Sequence, residues 1–292
     1  MTTTVRTTKI TRHLVEHQPD KDAEAMEFET THAPADWLGD NPVVKKRSDG
    51  CWVVGYLVHD DDCESPLESC DSMGKIYTRH RHAGQESHRG FREAVGLDEY
   101  WNKTRKPNPN AVLLDCYDHG GQSWAISGSE QARMFPYQQW DVAHGGGVWV
   151  PDKDCLENIW RSTARALLPT GVELGWHPYR SGHKQRVYVK LPGQKKKTFG
   201  SFQGAVACSA LDTKVIERQF REELLKYAKG VVEEYNAWLS GDCWGVCVEV
   251  FGADGDQVSE DACWGFIGEK YAREELEAQV EGCLGCKNDQ TP

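Results

Sequence analysis

No stretch of this chain approaches the ~18 consecutive apolar residues of a membrane-spanning helix, which predicts a protein with no membrane partner. The opening residues, MTTTVRTTKITRH, carry charge but lack the apolar h-region of a secretory signal, so the expected location is the cytoplasm of the cell that makes it. A basic excess is also missing. Lys and Arg number 34 against 45 Asp and Glu, for a net charge of −11, which argues against a general nucleic-acid binder. There is no H-E-x-x-H, G-K-[ST] or G-x-S-x-G, and so no motif for a zincin, a P-loop or a nucleophile elbow. A solenoid-type repeat is absent too. The 11 cysteines are dispersed through 292 residues, unlike the dense framework of a small disulfide scaffold, and are expected to be reduced. Cys51 and Cys247 sit in strand-like surroundings, where a thiol acts as a small hydrophobe. The one C-x-x-C is Cys283/Cys286. Zinc there would need two more ligands, from Cys243, Cys247 or Cys263, and the polar tail KNDQTP favours plain terminal thiols.

What is present predicts an α+β fold, mainly antiparallel sheet with flanking helices. Residues 1–48 are polar and weakly patterned and read as an arm. CWVVGYLVHD (51–60) reads as a buried strand. KIYTRHRH (75–82) alternates, with Ile76, Thr78, His80 and His82 on one face. VLLDCYD and QSWAIS, joined by HGG, form a hairpin pattern, and VWVPD a further strand. Helices are expected within HRGFREAVGLDEYWN, over Lys153–Leu168, over Asp212–Leu239 with an apolar stripe from Val215 to Leu239, and near Glu269–Val280. WGVCVEVF and ACWGFIG flank ADGDQ as a C-terminal hairpin. The expected partition is an arm (1–48), a first core part (49–168), a basic hairpin region (169–211) and a second core part (212–292).

Asp118, His119 and Asp141 are the sharpest candidates for acid–base chemistry, because carboxylates and imidazoles work near neutral pH. Adding His80 and His82 to Asp118 and His119 gives a candidate divalent-metal set. No cofactor is otherwise expected. Against this stands a turn: Asp118 bonding the backbone, a glycine at positive φ, and His119 as a hinge. Gly145-Gly146-Gly147 leads into a strand rather than a helix, which favours a bulge over a phosphate cradle. The run Asp60–Asp62 lacks EF-hand spacing and reads as a solvated loop. Residues 176–200 carry Arg180, Lys184, Arg186, Lys190, Lys195, Lys196 and Lys197 and no acid. With Trp176 and Tyr179 they form a candidate contact for an acidic partner or nucleic acid, or else a solvated hairpin. Trp244 and Trp264 read as core.

Four stretches in order, GYLVHDDDCESPLESCDSMGKIYTRHRH, LLDCYDHGGQSWAISG, QQWDVAHGGGVWVP and EEYNAWLSGDCWGVCVEVF with ACWGFIGEKYAREELE, resemble a family of bacteriophage and mobile-element proteins. Its corresponding segments read Y-D-H-S-G, P-W-D-S-G-Q-V-G-F-I-Y-V, and Y-x-x-Y-L-x-G-D-V-Y-G-Y with S-C-W-G-F-Y-G. The resemblance covers about 51–160 and 212–282 and carries over no catalytic residue. His144 stands where the family has Gln, and 170–211 looks like an insertion, which makes both poor carriers of a family-wide role. The resemblance implies an accessory protein acting in a bacterial host. The leading expectation is therefore a factor that binds a host protein and inhibits an antiviral defence system. The rivals are a metal-dependent enzyme on nucleotides or nucleic acid, an acidic DNA mimic, and a virion-assembly protein.

Overall fold

Apolar runs extend and amphipathic stretches coil in the computed structural model, which describes residues 8–10, 28–30, 42–69, 73–81, 83–97, 106–137, 139–168, 171–177, 186–190, 192–207 and 212–285. In chain order the elements are β1 (Thr8–Ile10), β2 (Phe28–Thr30), β3 (Val43–Lys46), β4 (Trp52–His59), α1 (Pro66–Ser69), β5 (Lys75–Thr78), α2 (Gln85–Val95), β6 (Val112–Asp118), β7 (Gln122–Ile126), α3 (Glu130–Arg133), β8 (Val142–Val150), α4 (Lys153–Leu167), β9 (Glu173–Trp176), β10 (Val187–Lys190), β11 (Lys197–Phe199), α5 (Phe202–Ala207), α6 (Thr213–Leu239), β12 (Cys243–Phe251), β13 (Gln257–Ile267) and α7 (Glu269–Gly285). The strand pairings are antiparallel and helices flank the sheets, so the fold is α+β. Among the described residues no helix is long and apolar enough to cross a membrane. Two compact units form, Met1–Glu64 with Ala237–Pro292, and Ser65–Asn236. These boundaries fall inside the segments that the sequence partition kept whole, including α6.

The first unit is built on a sheet of order β13-β12-β4-β3. Alternation along β4 and β12 sends Val53, Leu57, Val246, Val248 and Val250 to one face, where Ala272, Leu276 and Val280 of α7 cover them. The other face gathers Trp52, Val54, Tyr56, Cys247 and Phe251. Gly55 makes the helix approach close: a Cβ there would lie 2.9 Å from Leu276 Cδ1 and nearer to Val280. Buried Glu249 accepts hydrogen bonds from the Tyr56 hydroxyl and from Gln257 Nε2. Cys283 packs against the α7 side of this core, while Cys286 lies outside the described residues.

The second unit is built on a sheet of order β5-β8-β6-β7. Its centre is apolar by alternation: Val112, Leu114, Cys116, Trp124, Val148 and Trp149 are nearly or wholly buried. One free edge of the sheet is closed by a side chain. Asn236 of α6 accepts from Trp124 N at 2.8 Å and donates to Trp124 O at 2.7 Å, imitating a neighbouring strand along β7. Trp160 stacks on Phe220 at 4.2 Å, joining α4 to α6, and Phe202 of α5 is fully buried.

Asp152 caps α4, accepting from Cys155 N at 2.7 Å, and its second oxygen accepts from Gly74 N at 3.1 Å. Burial pushes this carboxyl up, but the backbone donors outweigh it and hold Asp152 below the ordinary carboxylate value. Asp152→Ala is expected to cost about 1–2 kcal/mol, read as a lower thermal midpoint, and Asp152→Ser, which keeps a capping oxygen, to recover part of it.

Candidate functional site

The hairpin β6–β7 turns through His119, Gly120 and Gly121: Asp118 pairs with Gln122, His119 N donates to Gly121 O, and Gly120 takes φ +79°. This is the turn that the glycines required. The chain around it holds three carboxylate–imidazole pairs. His80 Nε2 lies 2.7 Å from Asp118 Oδ2, His119 Nδ1 lies 3.2 Å from Asp141 Oδ2, and His144 Nδ1 lies 3.3 Å from Asp115 Oδ2.

These pairs are not equivalent. At His80, Nε2 faces Asp118 and Nδ1 lies 3.2 Å from Gln122 Nε2. Both ring nitrogens are engaged and the ring is mostly sheltered. The chain reaches it differently from the alternating pattern. β5 ends at Thr78, whose Oγ1 donates to Gly146 O and accepts from His80 N, so His80 leaves the strand instead of continuing its face. His82 lies outside the described residues.

His119 is the opposite case, with its side chain 65% exposed and one nitrogen turned to Asp141. A carboxylate beside one nitrogen of an exposed imidazole is an arrangement that acid–base chemistry uses. The pair is tied to the sheet because Asp118 N donates to Asp141 O at 2.9 Å. The structure therefore brings His80 to Asp118 and His119 to Asp141 as separate pairs. Among the described residues no three His, Cys, Asp or Glu side chains could share a metal ion.

Asp115 is the carboxylate that sequence reasoning passed over. It is 4% exposed and accepts from Ser127 Oγ at 2.5 Å and Gly145 N at 2.8 Å, with His144 as third partner. Burial pushes Asp115 up, but these donors together hold it below its ordinary value. The glycine triplet makes this contact. β8 advances from Ala143 to Gly147 while β6 advances only from Cys116 to Leu114, and Gly145 at φ +59° delivers its N–H into the bulge. An acid inside the apolar run VLLDCYD was the available signal, because a buried carboxylate must find donors.

Beside the His119–Asp141 pair runs a row of rings. Tyr117 stacks on Phe135 at 5.7 Å and on His119 at 6.3 Å, and His119 meets Tyr137 at 6.3 Å. The row leads into the loop after α3, where Met134, Tyr137 and Trp140 are 77%, 68% and 85% exposed, the three most exposed large hydrophobics among the described residues. Ser129 caps α3, Trp140 N and Asp141 N both donate to Tyr137 O, and Tyr137 sits at φ +52°, unusual outside glycine.

In the basic segment, β9, β10 and β11 form a small sheet. Lys190 pairs with Glu173 at 2.5 Å and Lys196 lies 4.1 Å over the Tyr188 ring, while Arg186, Lys195 and Lys197 are exposed. Trp176 meets buried Phe202 edge-on at 5.2 Å, so part of its ring covers this unit's own core. Tyr179, Arg180 and Lys184 lie outside the described residues. Compared with known proteins, the chain matches no family model, no curated protein and no solved structure.

Proposed function

We propose that this protein is a binding factor, an accessory protein of a phage or mobile element that engages a host protein in the bacterial cytoplasm and inhibits an antiviral defence system. One observation carries the binding reading: Met134, Tyr137 and Trp140 present large apolar area to water, close together in the chain. Tyr and Trp are among the residues that most often anchor interfaces. The phage setting rests on the four resembling motifs. The exposed cations Arg186, Lys195, Lys196 and Lys197 offer a second contact face, suited to an acidic surface.

The test is a tagged pull-down from nuclease-treated lysates of bacteria carrying different defence systems, read by mass spectrometry. A stoichiometric defence protein retained by the parent chain should be bound at least ~30-fold more weakly by Trp140→Ala or Tyr137→Ala, the ~2 kcal/mol of a hot-spot residue. Far-UV circular dichroism should not change, since both rings are exposed. Retention unaffected by either loop variant but lost on neutralising Lys195, Lys196 and Lys197 would move the contact to the basic sheet.

The second reading, an enzyme on nucleotides or nucleic acid, draws on exposed His119 and its Asp141 partner. Turnover of a nucleotide that disappears in His119→Gln, with no retained partner, would replace the first reading with this one.

A further inference from the structure

A cleft of about 1150 Å³ opens within the unit Ser65–Asn236, between the end of α2, the strands β6 to β8 and the middle of α6. Its volume lies a little above the usual range of small-ligand sites, ~300–1,000 Å³. The floor is apolar, with Val112, Leu113, Ile126 and Leu225. Leu113 is unusual, since it lies on an interior strand of the sheet yet is 48% exposed. The exposed side chain is contiguous with the rest of the apolar floor, which distinguishes it from a hydrophobe scattered alone on a surface.

The charge on the cleft is sorted. Arg221, Lys226 and Lys229 of α6 line it, and among the described residues no Asp or Glu does, in a chain whose acids outnumber its bases by 45 to 34. The same helix carries Glu217, Glu222, Glu223, Glu233 and Glu234, all outside the lining. Among the described residues Arg221 and Lys226 have no ion pair, and Lys229 meets Glu233 at 3.6 Å in an exposed pair that leaves much of its charge unspent. Ser127, Gly128 and Ser129 add polar groups at another part of the wall. Cations beside a low-dielectric floor focus an electrostatic field that favours negative charge, while the floor favours an apolar body.

From this combination we infer that the cleft binds an amphipathic anion, a molecule with an apolar chain or ring system ending in a carboxylate or phosphate. This is a separate site from the aromatic loop and does not depend on how that loop is used.

The experiment uses the full chain and three probes that share one tail: dodecanoate, dodecyl phosphate and dodecyltrimethylammonium, each titrated below its micelle concentration by calorimetry. Saturable one-to-one binding is expected for at least one anion, with the cation at least tenfold weaker. The preferred anion tells a carboxylate ligand from a phosphorylated one. The double variant Arg221→Glu, Lys226→Glu should lose at least tenfold in affinity for the anion and keep the parent's thermal midpoint, because both side chains are exposed. Three results would each overturn the inference: equal binding of anionic and cationic probes, anion binding unchanged in the double variant, or no saturable binding of either anion.

Discussion

Asp115→Ala is expected to lower the unfolding free energy by about 3–5 kcal/mol, the range for removing one partner of a buried charged network. The side chain gives its oxygens to Ser127 Oγ, Gly145 N and His144 Nδ1, and alanine leaves a hydroxyl and a bulge N–H facing a void. Hydrogen bonds to an ionised acceptor contribute more than neutral ones, and the donors left behind cost their own desolvation. Asp115→Asn should lose less, because an amide oxygen still serves one of the donors. The same carboxylate sets a pH dependence. Its folded-state pKa lies below the ordinary 3.8, since the donors outweigh burial. Its contribution is therefore complete above the unfolded-state value and is lost as pH falls through the folded-state value. Denaturant titrations from pH 7 down to strong acid should show this limb in the parent and a flatter one in Asp115→Asn. Equal limbs would mean that Asp115 contributes little to acid unfolding.

How far the site could be read from the sequence depended on the range of the interactions. α6 was legible because a 3.6-residue stripe and a capping Asp212 just before it are local signals, and the hairpin at Asp254-Gly255 because positive φ at glycine is local as well. The bulge at Gly145–Gly147 belongs with these, as does the turn at His119–Gly121. What failed was pairing at a distance. Asp118 and His119 are neighbours in sequence, yet one bonds His80 and the other meets Asp141. Alternation suggested that His80 shares a strand face with Thr78, but the Thr78 hydroxyl takes over the next backbone bond and turns the chain. Asp115 was passed over because its donors come from residues 127, 144 and 145. The exposure of Met134, Tyr137 and Trp140 could not be recognised, because large hydrophobic residues in a sequence read equally well as core.

The second large effect should come from one methyl group. Gly147→Ala places a Cβ 3.1 Å from Trp124 Cε3 and Cη2 and nearer still to Cζ3, closer than side chains pack. Relief is hard to find on either side. Gly147 is held in β8 between Leu114 of β6 and Thr78 of β5, and Trp124 is 1% exposed with its backbone fastened by both Asn236 bonds. Overpacking a rigid core costs typically 1–3 kcal/mol and sometimes more. With both partners fixed, a loss of about 3 kcal/mol is expected, or roughly 10 °C in thermal midpoint. Gly121→Ala provides the contrast, since its Cβ would meet nothing within 4 Å, and should leave the midpoint within about 2 °C. The cause can be separated from a general intolerance of β8. If the clash with the indole is responsible, Trp124→Leu combined with Gly147→Ala should be less destabilised than the sum of the single changes, a coupling that a double-mutant cycle measures. Strict additivity would place the damage in the backbone of β8 rather than in the ring that crosses it.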